Sequence, residues 1–177
     1  MYVLLSVCLL DAVAFSVSQC GLRWCTDDAA AGQLRQLFVD ACGLDVIASA
    51  LRSLTTDNAE VVAAAAGVVR AIGWGGSTAA GRRDAITACG IIPLLVQSLQ
   101  QHVQHSGVAT QGSWALACLS GSWDAGAELR LQQLTETGAL RVLSDVLATH
   151  THDEEALLAA LWTAGQMLRA GGADAAA

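Results

Sequence analysis

Two pairs of histidines are the residues whose type and spacing come nearest to chemistry: His102-x-x-His105 and His150-x-His152. They fall in corresponding polar loops, so stacking those loops would gather four imidazoles, and neutral imidazole is a zinc ligand. Four-ligand geometry is exacting, and polar loops ordinarily carry solvated His, so no metal site is assigned. Asp153, Glu154 and Glu155 suit the start of a helix, whose partial positive charge they complement, better than a general acid pair. The run Gly73-Trp74-Gly75-Gly76 lacks the preceding strand of a dinucleotide site. No phosphate loop, nucleophile elbow or His-Glu-x-x-His motif occurs. We therefore assign no catalytic residue, no metal and no cofactor, and an enzyme is not expected.

The elements around these residues follow from composition and periodicity. The chain has 177 residues, 54% of them apolar and 14% charged, which excludes intrinsic disorder. All nine basic residues are Arg, and the net charge of −7 argues against nucleic acid as a partner. Abundant Ala and Leu with a single Pro point to an all-α fold. The six cysteines (Cys8, Cys20, Cys25, Cys42, Cys89, Cys118) are too few for a disulfide scaffold and sit mostly in apolar helical runs. A reduced, cytoplasmic setting is expected. The first residues lack a basic region, and Asp11 interrupts their apolar run, so they read as helix rather than a cleaved leader. No window of 18 uncharged apolar residues exists to span a membrane.

Internal repetition organises the chain. Segments beginning at Arg35, Arg82 and Leu131 align on Gly43, Gly90 and Gly138, which lie 47 and 48 residues apart. Each glycine should permit the left-handed turn that ends a short helix. An apolar helix follows, then a polar connection, then a longer helix: about Glu60–Trp74, Gly107–Ser120 and Glu154–Leu168. Thr151 to Glu154 has capping-box spacing, Ser106 is placed to cap the middle long helix, and Asp124 to start a short one. Trp114 and Trp162 match at the repeat period, where the first unit has Gly67. Trp24, Trp74 and Trp123 recur near the ends of the long helices and read as caps between units. Cys42 and Cys89 share a corner position and read as structural.

The run ITACGIIPLLVQSLQQHVQHSGVATQGSWALACLS resembles an armadillo repeat: a Gly corner, an Ile-Pro-Leu-Leu helix, then a Trp-Ala-Leu helix. ETGALRVLSDVL with EEALLAALWTAGQML is similar to a further copy. The resemblance implies an armadillo-type right-handed α-solenoid, with HEAT-like two-helix repeats as the alternative. Its units would be the end of a partial repeat over 1–25, repeats over 26–74, 75–120 and 121–168, and a flexible tail over 169–177.

In such proteins the third helices line a groove that binds partner segments. The peptide-binding members place an Asn four residues after the groove Trp. Here Cys118 follows Trp114 and Gln166 follows Trp162, which departs from an Asn-ladder mode of binding. The residues expected to meet a partner are Gln111, Trp114, Cys118, Trp162 and Gln166. Residues 91–177 hold 8 acidic residues against 3 Arg, which favours a basic or polar protein segment as partner, with no nucleic acid or membrane role. The alternative is a structural subunit embedded in a larger complex.

Overall fold

The computed structural model describes residues 29–53, 58–75, 78–121 and 124–173. The helix expected over residues 1–25 lies outside them, as do Trp24, Trp123, Cys8, Cys20 and Cys25. Every regular element among the described residues is a helix. In chain order they are α1 (Ala29–Asp40), α2 (Gly43–Ser53), α3 (Ala59–Gly73), α4 (Ala79–Ala88), α5 (Ile91–Gln101), α6 (Ser106–Ser120), α7 (Ala127–Glu136), α8 (Ala139–Thr149) and α9 (Glu154–Ala173). They fall into three units of three. α9 continues through residues 169–173, the first part of the expected tail.

Local chemistry explains the boundaries. Gly90 (φ 67°) and Gly138 (φ 76°) take the left-handed conformation between the first and second helices of their units. A side chain there would strain the turn. The first unit departs from the expectation by one residue. Cys42, not Gly43, turns left-handed (φ 60°), and Gly43 already belongs to α2. Gly43 is needed for space instead: a Cβ on it would lie 2.3 Å from the Phe38 ring. Pro93 sits in the first turn of α5, where no intrahelical N–H bond is lost.

The caps also differ from expectation. Asn58 accepts from the Val61 N–H at 3.3 Å and starts α3. His105, not Ser106, caps α6, its Nδ1 accepting from the Val108 N–H at 3.3 Å. Asp153 caps α9 by accepting from the Ala156 N–H at 3.1 Å, rather than Thr151 doing so. A carboxylate next to the first helical residue also complements the helix dipole.

Each second helix drives an apolar stripe into the core: Leu44, Ile47 and Leu51 on α2, Ile92, Leu95 and Leu99 on α5, and Val142, Leu143 and Val146 on α8. These spacings of three and four residues put one helix face inward. Like helices pack in series: α1 on α4, α2 on α5 and α5 on α8, with the most extensive packing of α3 on α6 and α6 on α9. Neighbouring units therefore share one continuous core.

Buried arginines tie the units together. Arg82 is fully buried at the start of α4 and donates to the carbonyls of Ile72 (Nε, 2.7 Å) and Gly75 (Nη2, 2.7 Å) at the end of α3. Arg130, 48 residues on, is equally buried and donates from Nε to the Leu119 carbonyl at 3.1 Å, at the end of α6. Each cation thus satisfies orphan carbonyls at a negative helix C-terminus. Arg130 also bonds Asp84 at 2.7 Å and Asp124, while Arg83 bonds Asp124 at 2.6 Å and the Gly73 carbonyl at 3.1 Å. Burial opposes ionisation of Asp124. Hydrogen bonds from Arg130 and Arg83, with their charges, outweigh it and hold its pKa below the ordinary carboxylate value.

Candidate functional site

The series α3, α6, α9 carries the residues expected to meet a partner. Serial packing sets Gln111 and Trp114 of α6 beside Gly67 and Arg70 of α3. Gln111 Oε1 accepts from Arg70 Nη1 at 3.3 Å, and the Arg70 guanidinium lies 5.3 Å from the centre of the Trp114 ring. Cation–π attraction of this kind contributes about 0.5–1 kcal/mol at partly exposed sites. Burial lowers the Arg70 pKa, against which the Glu155 carboxylate acts in the opposite direction. The guanidinium thus lies over one indole while bonding Gln111, which brings Gln111 and Trp114 together.

Trp162 occupies the corresponding place on α9 and is 48% exposed. Gln166, one turn further on, is half-buried. Trp114 is likewise half-buried, so both indoles retain accessible surface. Cys118 lies below this face. It is only 5% exposed, and its Sγ donates to the Ala115 carbonyl at 3.0 Å. A Cβ on Gly73 would lie 2.8 Å from that sulfur, so Cys118 fills the close approach between α3 and α6. Burial pushes its thiol pKa up to about 12.

No family model, curated protein or solved structure matches the chain. Its reading therefore rests on the arrangement of its own residues.

Two of the four histidines, His105 and His150, serve the joints between units. His105 Nε2 pairs with Glu60 Oε1 at 3.1 Å while its Nδ1 caps α6, which assigns the ring hydrogen to Nε2. His150 Nε2 meets the Val103 carbonyl at 2.6 Å, joining the loop of one unit to the loop before it. Ser106 Oγ donates to Asp153 at 2.5 Å, linking the starts of α6 and α9. Among the described residues, no three His, Cys, Asp or Glu side chains gather as metal ligands. No described helix is long and apolar enough to cross a membrane.

Sequence reasoning missed two features. Arg70 has Ala117 and Gly165 at the corresponding positions of the later units, so repeat alignment gave it no weight. The available signal was a lone charge on the inner half of the otherwise apolar run VVAAAAGVVRAIG. The buried arginines were also legible: Arg82 and Arg130 each stand eight residues before a corner glycine, as does the half-buried Arg35 in the first unit.

Proposed function

We propose that this chain is a non-catalytic protein-interaction module, an armadillo-type right-handed α-solenoid that binds a partner segment along α3, α6 and α9. Three helices per unit, rather than the two of HEAT-like repeats, support that architecture, as do the left-handed glycines at two corners. The observation that carries the function is the pair of accessible indoles, Trp114 and Trp162, one unit apart on successive third helices. Each has a glutamine within one turn, Gln111 and Gln166. Trp is the residue most enriched among interface hot spots, and side-chain amides read an extended backbone.

Charge selects the kind of segment. The acidic excess over residues 91–177 favours a basic or polar partner there. Because Arg70 already covers Trp114, a basic side chain of the partner fits better at Trp162, which shares a side of α9 with Glu155 two turns away. A scaffold working in complex assembly in the cytoplasm is the setting this chemistry suits.

A structural subunit held in a larger complex is the second reading, and exposed Leu34, Leu37 and Leu129 on the first helices favour it. Peptide-library panning on the full chain separates the two. Trp114→Ala with Gln166→Ala should abolish capture of the selected peptides while circular dichroism stays helical, and Arg141→Ala on exposed α8 surface should leave it intact. Capture indifferent to the Trp and Gln changes transfers the case to the subunit reading.

A further inference from the structure

The side of each third helix that receives the next unit can be identified by register. On α6 it includes Thr110, Ser113 and Ser120, all buried, and the Ser113 carbonyl accepts from Thr163 Oγ1 of α9 at 2.9 Å. The same positions on α9, 48 residues later, are Leu158, Leu161 and Leu168, exposed by 56%, 59% and 64%. Small side chains on α6 let the next helix approach closely. Leucines in their place hold a neighbour further off and require it to interlock with them. With Gly165 between, the stripe steps by three, four and three residues, the a and d spacing of a helix that packs lengthwise on another.

We propose that this stripe is a self-association face and that its occupant is α9 of a second copy, antiparallel about a two-fold axis. Charge decides both the occupant and the orientation. Glu155 and Arg169 are exposed and flank the stripe at opposite ends, 14 residues apart and so at the same heptad position. In an antiparallel pair, Glu155 of each copy meets Arg169 of the other, twice per dimer. A parallel pair would leave them about 21 Å apart along the axis, unmatched. Trp162 lies midway at that heptad position, so the dimer covers this indole together with Glu155, and a second copy competes with a partner segment for that end of the face. A symmetric patch of this kind is self-complementary, as a closed two-fold interface requires.

Sedimentation equilibrium of the full chain over a concentration series tests this. The unaltered protein should fit a monomer–dimer equilibrium, and Leu161→Glu should sediment as monomer with unchanged helical circular dichroism. Glu155→Arg and Arg169→Glu should each weaken the dimer about tenfold, since two attractive contacts become repulsive, and the double variant should recover it. Monomer at every concentration, a dimer indifferent to Leu161→Glu, or a double variant no stronger than the singles would each overturn the proposal.

Discussion

Asp124→Ala should be the most destabilising single change among the exposed or half-buried carboxylates. Its carboxylate bonds Arg130, which is 0% exposed, and also Arg83 at 2.6 Å. Removing one partner of a buried ion pair costs about 3–5 kcal/mol, because the remaining charge is left without compensation. Arg130 keeps Asp84 at 2.7 Å and the Leu119 carbonyl at 3.1 Å, which places the cost near the lower end, about 3 kcal/mol. For a chain of this size that is a fall in Tm of about 6–12 °C. Asp84→Ala is the control: its side chain is 55% exposed, so its loss should cost about 1 kcal/mol or less. Urea denaturation followed by circular dichroism reads both as shifts in midpoint at constant slope. Asp124→Ala combined with Arg130→Met should cost less than the sum of the singles. The acid limb gives an independent check. Since its folded pKa is depressed, Asp124 contributes fully above the unfolded carboxylate pKa, and the contribution is lost as pH falls through the folded value. Asp124→Asn should flatten that part of the stability curve. Equal losses for Asp124→Ala and Asp84→Ala would refute the reasoning.

Two further outcomes follow from the backbone and the thiols. Cys42→Gly should raise stability by about 1 kcal/mol by relieving its left-handed backbone (φ 60°), whereas Gly90→Ala should lower it by a similar amount, both read by urea midpoint. Exposed Cys42 should alkylate readily in the native protein at mildly alkaline pH, while Cys118, with its thiol held up to about 12, should be modified only on unfolding; mass spectrometry of quenched samples distinguishes them.

Much of the fold is legible in the residue pattern because its signals are local and repeated. Gly90 and Gly138 mark corners that need positive φ, and the second helices carry apolar stripes at helical spacing. Where a tertiary neighbour decides, local signals mislead. At the first corner the left-handed turn falls on Cys42, and Gly43 is kept because a side chain there would run into the Phe38 ring. Ser106 has the chemistry of a cap, yet its hydroxyl goes to Asp153 of the next unit and the His105 ring takes its place. The candidate site divides the same way. Trp114 and Trp162 were visible through periodicity, whereas Arg70 acts through a contact 41 residues away with Gln111 and recurs in neither other unit. Cys118 shares a register with Gln166, but only the packing of Gly73 shows that its side chain is sealed beneath the face.

The central claim, that α3, α6 and α9 form the partner-binding face, is tested most directly by fluorine NMR of the chain labelled with fluorotryptophan. Trp→Phe variants assign the five indole signals. On titration with a peptide selected by panning, the Trp114 and Trp162 resonances should shift together and saturate together. Trp74, whose carbonyl accepts from Arg82 at the end of α3, should stay in place. Shifts confined to Trp74 or to the other indoles, with Trp114 and Trp162 unmoved, would contradict the account.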